Sequence, residues 1–186
     1  MDSIKKYRNK IITGKKISLR EIRKSDLASC IRWLKDPEVT RFLSNSVKNL
    51  TETEEVQWFR SVKKSKNDIV FSIVAMPENK YIGNCGLHKI NWTEKKCELG
   101  IFIGDRDYWN RGFGTAATML LLDFATGTIG IEKIKLFVYE YNLRAKKVYE
   151  KCGFSVVEKL KNHHLFDNKY WDTYVMEYSK INSIAL

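Results

Sequence analysis

Along Lys16-Ile17-Ser18-Leu19-Arg20-Glu21-Ile22 apolar and polar residues alternate, the period of a half-buried strand. Ser25 offers a cap, and Leu27, Cys30, Ile31 and Leu34 follow at helical spacing until Asp36-Pro37 stops them. Thr51-Glu52-Thr53-Glu54 has the form of a capping box and opens a second helix with Val56, Phe59 and Val62 on one face. Three strands are predicted over 69–75, 81–90 and 97–103, separated by turn-like residues at 77–79 and 91–95, so neighbours pair antiparallel. Phe113, Ala117, Leu120, Leu121 and Phe124 mark a helix ending near Gly127 and Gly130. A strand over 134–141 follows, then a helix carrying Ala145, Val148, Tyr149 and Cys152 that Gly153-Phe154 closes. Segments 156–165 and 173–179 form a last strand pair. The order β-α-α-β-β-β-α-β-α-β-β predicts an α/β fold: a mixed, mostly antiparallel sheet with one central β–α–β crossover.

A length of 186 residues, with two prolines and no low-complexity tract, predicts one domain over 1–186. The formal net charge of +11 suits either a polyanionic partner or an evenly solvated surface with a Lys-rich N-terminus. Cys30, Cys85, Cys97 and Cys152 lack metal-ligand spacing and read as buried thiols of a reducing compartment. His163-His164 has no Cys or acidic ligand at zinc-motif spacing, so no metal is expected. Neither a signal peptide nor an apolar run of the ~18 residues a membrane span needs is evident. The expected location is the cytoplasm, without membrane partners.

The chemistry concentrates at Asp107-Tyr108-Trp109-Asn110-Arg111-Gly112-Phe113-Gly114-Thr115-Ala116-Ala117. Here a strand meets a helix start, whose free N–H groups and dipole suit an anion, and glycine lets a phosphate approach them. The P-loop pattern is absent. Gly112, Gly114 and Ala117 fit a dinucleotide fingerprint, with Glu140 as the ribose-binding acid, but that motif belongs in repeated β–α–β units.

Trp109-Asn110-Arg111-Gly112-Phe113-Gly114 resembles the [Gln/Arg]-x-x-Gly-x-[Gly/Ala] hallmark of the GNAT family of acetyl-CoA-dependent N-acyltransferases, with Trp109 where Gln or Arg is usual. Asn142-Leu143-Arg144-Ala145-Lys146-Lys147-Val148-Tyr149-Glu150-Lys151-Cys152-Gly153-Phe154 resembles the family's Asn-x-x-Ala-x-x-x-Tyr-x-x-x-Gly-Phe segment. Leu19-Arg20, Asp36-Pro37-Glu38-Val39 and Tyr170-Trp171-Asp172-Thr173 look like the branch with ribosomal-protein-alanine and polyamine acetyltransferases, so the likeness runs from Ile17 to Tyr178.

The resemblance implies transfer of an acetyl group from acetyl-CoA directly to a primary amine. Backbone groups of Asn110, Arg111, Gly112, Phe113, Gly114 and Thr115 would hold the diphosphate, and Asn142, Ala145 and Tyr149 would help hold the cofactor. Gly100 within a strand marks a bulge or a close approach. By the resemblance that strand splays from its neighbour, and free backbone groups near Phe102 and Ile103 would bind the pantetheine arm. An alkylammonium with a pKa of about 10.4 must lose a proton before it attacks, and a thiolate leaves faster beside a donor. Tyr149 matches the family's general acid, although it also continues the apolar stripe of its helix. Glu98 is either the general base or a carboxylate paired with Lys96 or Arg106. Asn142 caps its helix, binds the cofactor, or does both.

For the acceptor, small molecule or peptide, the resemblance points to 33–59 and 88–92, with Trp33, Phe42, Trp58 and Trp92 as walls or as core. Glu52, Glu54 and Glu55 either attract a polyamine or favour a helix N-terminus. The rival from another class is a nucleic-acid or ribosome-binding module, which the charge favours but no recognised motif supports. A homodimer is compatible with either reading.

Overall fold

The computed structural model describes residues 4–44 and 51–179. Among these residues eight strands form one sheet: β1 (Ile12–Thr13), β2 (Ile17–Glu21), β3 (Ile69–Ala75), β4 (Lys80–Asn91), β5 (Lys96–Ile103), β6 (Lys133–Tyr139), β7 (Ser155–Phe166) and β8 (Lys169–Ser179). Their spatial order is β1-β2-β3-β4-β5-β6-β8-β7, and every pairing is antiparallel except β5 with β6. Helices are α1 (Lys5–Arg8), α2 (Leu27–Leu34), α3 (Pro37–Thr40), α4 (Glu52–Lys64), α5 (Phe113–Asp123) and α6 (Leu143–Lys151).

The single crossover β5–α5–β6 is the predicted one. It rules out the doubly wound architecture a dinucleotide site requires. The ribose-binding acid of that reading, Glu140, is instead paired with Lys159 at 3.1 Å.

One sheet face carries Leu19, Phe71, Leu87, Leu99, Ile134 and Met176, packed against α1, α5 and Tyr149 of α6. The opposite face packs Ile22 and Val70 against Val62, Trp58 and Phe59 of α4. Helices therefore cover both faces. All four cysteines are free and buried, as expected. No helix among the described residues is long and apolar enough to cross a membrane.

Several features depart from the sequence reading: β1 was not expected, and Ser25 lies inside a 3-10 turn (Lys24–Asp26) instead of capping α2. α1 is a single polar turn without an apolar stripe to announce it, anchored by buried Arg8, which donates to the carbonyls of Lys63, Ser65 and Asp68. Pro37 ends the preceding helix as expected but also begins α3, with the Asp36 carboxylate accepting from Glu38 N–H at 2.9 Å. α5 stops at Asp123 and continues as a wider turn over Phe124–Ile129 before Gly130. β7 and β8 run longer than expected and meet at Asp167-Asn168, both with positive φ.

Candidate functional site

The parallel ladder between β5 and β6 has three rungs: Lys96, Cys97 and Glu98 opposite Lys133, Ile134 and Lys135. Beyond Glu98, β5 stays paired with β4 through Ile103, and β6 stays paired with β8 through Tyr139. The two central strands part there, and the expected splay is present.

At the wide end of that gap stands the start of α5. Asn110 has φ +58° and Gly112 φ +80°, so two left-handed residues turn the chain from a 3-10 turn (Arg106–Tyr108) into the helix. The first backbone bond of α5 runs from Ala116 N–H to Gly112 C=O. The N–H groups of Phe113, Gly114 and Thr115 thus precede the ladder and are available to a ligand. A Cβ built on Gly114 meets no atom within 4 Å, so the space above these donors is open. Lys16 Nζ bonds the Arg111 carbonyl at 2.6 Å, bringing a positive charge that sequence reading missed. The Arg111 side chain bonds the Asp107 carbonyl at 3.1 Å and lies over the rings of Tyr108 and Phe113. Open space, three directed donors and nearby cations fit a diphosphate.

Trp109, the departure from the hallmark, has a visible role. Its indole N–H donates to the Ile103 carbonyl at 2.7 Å. That corrects one expectation: the Ile103 carbonyl is taken by the protein itself. The Arg144 guanidinium stacks on the same indole, 4.2 Å from its centre. Trp109 thereby ties the end of β5, the turn before α5 and the first turn of α6 into one unit.

In α6, the Asn142 side chain accepts from Ala145 N–H at 3.2 Å, so its capping role is present. Tyr149 is buried at 8% exposure, and its hydroxyl makes no hydrogen bond among the described residues. Burial, with a smaller push from Cys152, moves its pKa up to about 12. One turn later Cys152 Sγ lies 3.9 Å from the Thr115 carbonyl, which joins the tyrosine's helix to the start of α5. Burial raises the Cys152 thiol to about 11, so it is no nucleophile at neutral pH.

On the opposite face, cross-strand pairs align His88 with Glu98, Gly86 with Gly100, and Asn84 with Phe102. The Gly100 register is unbroken. Its glycine serves close approach, because a Cβ there would stand 3.3 Å from the His88 ring. Glu98 is salt-bridged, but to Lys89 at 3.0 Å and Lys135 at 3.5 Å rather than to Lys96 or Arg106. Register places Lys135 opposite Glu98, and Lys89 reaches it from the irregular turn of β4 after His88, where its φ is +49°, whereas Lys96 turns to Glu94 and Arg106 reaches Asp36.

The other acceptor-side expectations divide. Trp33 packs on Tyr81, 4.9 Å between ring centres, and Trp58 lines a small cavity with Cys30, Glu55 and Asn84. Phe42 packs on Tyr141. Trp92 is no wall of this cleft: it stacks on Tyr7 of α1, which belongs to the α5 side of the sheet. Glu54 closes the capping box with Thr51, and Glu52 is exposed. Glu55 turns inward, 3% exposed with Oε1 unpaired, and burial raises its pKa. Residues 45–50 of the expected acceptor segment lie outside the described residues.

A family model described as "Acetyltransferase (GNAT) domain" matches residues 16–155. The uncharacterized N-acetyltransferase p20 of Bacillus licheniformis is 24% identical over 172 residues, covering 89% of this chain and 93% of that protein. Spermidine N(1)-acetyltransferase of Escherichia coli is 30% identical over 84 residues, 45% of either protein. The fold superimposes with a TM-score of 0.82 on spermidine N-acetyltransferase from Vibrio cholerae in complex with CoA and spermine, at 19% identity and covering 92% of this chain and 99% of that one. With three quarters of its length inside the family model and the split sheet in place, this chain belongs to the GNAT family of acetyltransferases.

Proposed function

We propose that the chain works as one N-acetyltransferase unit that passes an acetyl group from acetyl-CoA straight to the primary amine of a small cationic acceptor. The observation that carries this reading is the open cradle of N–H groups at Phe113, Gly114 and Thr115 beside the gap between β5 and β6. Acetyl-CoA supplies the activated acyl group and a thiolate that can leave.

In this reading Asn110, Arg111 and Gly112 shape the turn, and the α5 N–H groups hold the diphosphate. Lys16 adds charge. The Ile103 N–H offers backbone to the pantetheine arm on the unpaired side of β5, whereas the Phe102 carbonyl, expected beside it, turns to Gly83 of β4 because successive residues of a strand point their backbone groups to opposite sides. Asn142 and Ala145 fix the start of α6, which places Tyr149. With its pKa raised, Tyr149 keeps its proton at neutral pH and can give it to the departing sulfur. No buried cysteine is poised to carry the acyl group, which supports direct transfer. Glu98 stands on the acceptor side of the sheet, held between Lys89 and Lys135. The names of the spermidine-acetylating relatives support a small amine as acceptor. Four free thiols support a reducing, cytoplasmic setting.

The test is thiol release from acetyl-CoA across a panel of polyamines, amino sugars and peptides with free N-termini, beside calorimetric titration with coenzyme A. Release with at least one amine is expected. A protein that binds no coenzyme A, but binds RNA in a salt-sensitive way, would overturn the reading in favour of the nucleic-acid module.

A further inference from the structure

A histidine–carboxylate pair lies on the acceptor face of the sheet, outside the elements that hold the cofactor. In β4, Cys85 and Leu87 face the α5 core, so Asn84, Gly86 and His88 project to the other side. Register places His88 beside Glu98 and Gly100, at the point where β5 leaves β6.

The His88 ring is held from behind. Its Nδ1 lies 3.2 Å from Asp68 Oδ1. Asp68 is itself fixed on every side: its Oδ1 accepts from Lys89 N–H at 3.3 Å, and its Oδ2 from the Ser65 hydroxyl at 2.5 Å. Its carbonyl accepts from Arg8, which is 4% exposed. An ionised Asp68 accepts a proton-bearing Nδ1–H, which leaves the lone pair on Nε2.

That Nε2 points over bare backbone. A Cβ on Gly86 would come within 3.1 Å of it, and one on Gly100 within 3.3 Å. Asp68 is the ring's sole hydrogen-bond partner among the described residues, and the side chain is 35% exposed, so a ligand can reach Nε2. Gly100 stands two residues before Phe102, about 7 Å along the strand. Glu98, the carboxylate opposite, is already neutralised by Lys89 and Lys135. Its oxygens are thereby already engaged, whereas the His88 Nε2 is not.

We propose that the Asp68–His88 pair is the proton-accepting unit of acyl transfer, with His88 Nε2 taking a proton from the acceptor ammonium. This rests on the acetyl-transfer reading above. The ammonium gives one proton to Nε2, and the freed lone pair forms the C–N bond to the acyl carbon. The C–S bond breaks with its electrons on sulfur. Tyr149 gives its hydroxyl proton to sulfur and is restored by the nitrogen's second proton. His88 then passes its proton to water. His88 is the catalytic residue here, and Asp68 is a positioning residue that fixes the tautomer.

The test compares His88→Gln, His88→Ala, Asp68→Asn and Glu98→Gln with the wild type. Both His88 variants are expected to lose about 100-fold in kcat, while coenzyme A binding by calorimetry changes less than about twofold. Free imidazole restores part of the His88→Ala activity. The loss shrinks for amines of low basicity, which arrive unprotonated. Asp68→Asn costs about tenfold in kcat. It also shifts the His88 tautomer balance away from Nδ1–H, read from imidazole nitrogen chemical shifts by NMR on protein without substrates, where the chain's three histidines allow assignment by deletion. Full kcat in folded His88→Gln would overturn the proposal. So would a His88 tautomer balance indifferent to Asp68→Asn, or a loss confined to Glu98→Gln. Wild-type protein that binds no coenzyme A would instead sink the acetyl-transfer reading itself.

Discussion

Tyr149 and Asp26 show how burial is used in two opposite ways. Tyr149 is driven up to about 12, so it stays a neutral donor over the whole range in which an amine substrate is available. Tyr149→Phe should keep the fold and coenzyme A affinity but lower kcat by about tenfold or more, measured as thiol release. Asp26 would also be raised by burial. Arg20 at 2.7 and 2.8 Å, Arg23 N–H at 2.9 Å and the Ser72 hydroxyl at 2.7 Å outweigh that, and its pKa is lowered. A depressed carboxyl stabilises the fold fully above its unfolded value of about 3.9 and loses that contribution as pH falls through the folded value. Asp26→Asn strands a largely buried Arg20 and should cost about 3 kcal/mol in urea unfolding at pH 7, with the gap to wild type narrowing below about pH 4. Neither the Asp26 network nor the Asp68–His88 pair was legible in the sequence, because each joins a strand to a turn or loop far from it in sequence: Asp26 lies in a 3-10 turn and meets Ser72 of β3, and Asp68 lies just before β3 and meets His88 of β4. His88 and Asp68 stand 20 positions apart without any motif between them.

The elements themselves were mostly legible where one face is buried. β3 matches its expected span because all seven of its residues are buried, and β4 and β5 differ by a residue or so at their ends. β7 was harder to read: it is exposed on both faces at the edge of the sheet, so its polar residues follow no strict period. The start of α5 was the clearest feature of all, since its chemistry is backbone chemistry and glycine announces it. The two glycines there have separable duties. Gly112 sits at φ +80°, so Gly112→Ala strains the backbone by about 1–2 kcal/mol and lowers the melting temperature by a few degrees. Gly114 has open space around it, so Gly114→Val should leave the melting temperature nearly unchanged. The same side chain would cover the donors and weaken coenzyme A binding about tenfold or more, as calorimetry would show. The helix-terminal tryptophan was legible only as a departure. Its bond to Ile103 and its stack with Arg144 needed the folded chain to bring three elements together.

The whole molecule is organised around a sheet that comes apart in its middle. Both halves are anchored elsewhere, β5 on β4 and β6 on β8, so the division costs the fold three or four rungs of one ladder. The +11 charge gathers in part where it serves that division, with Lys16, Arg111 and Arg144 around the turn at its wide end. A break of this kind creates strand edges at the centre of the protein, where most folds keep them only at the margins. The amides facing the break therefore lack the protection that a continuous ladder gives, although they belong to the most central strands. In deuterated water, residues 99–103 should exchange faster than 69–75, and adding coenzyme A should slow the former selectively. A cofactor lodged in that break would act as a missing strand, and the protein would be a finished sheet only while loaded.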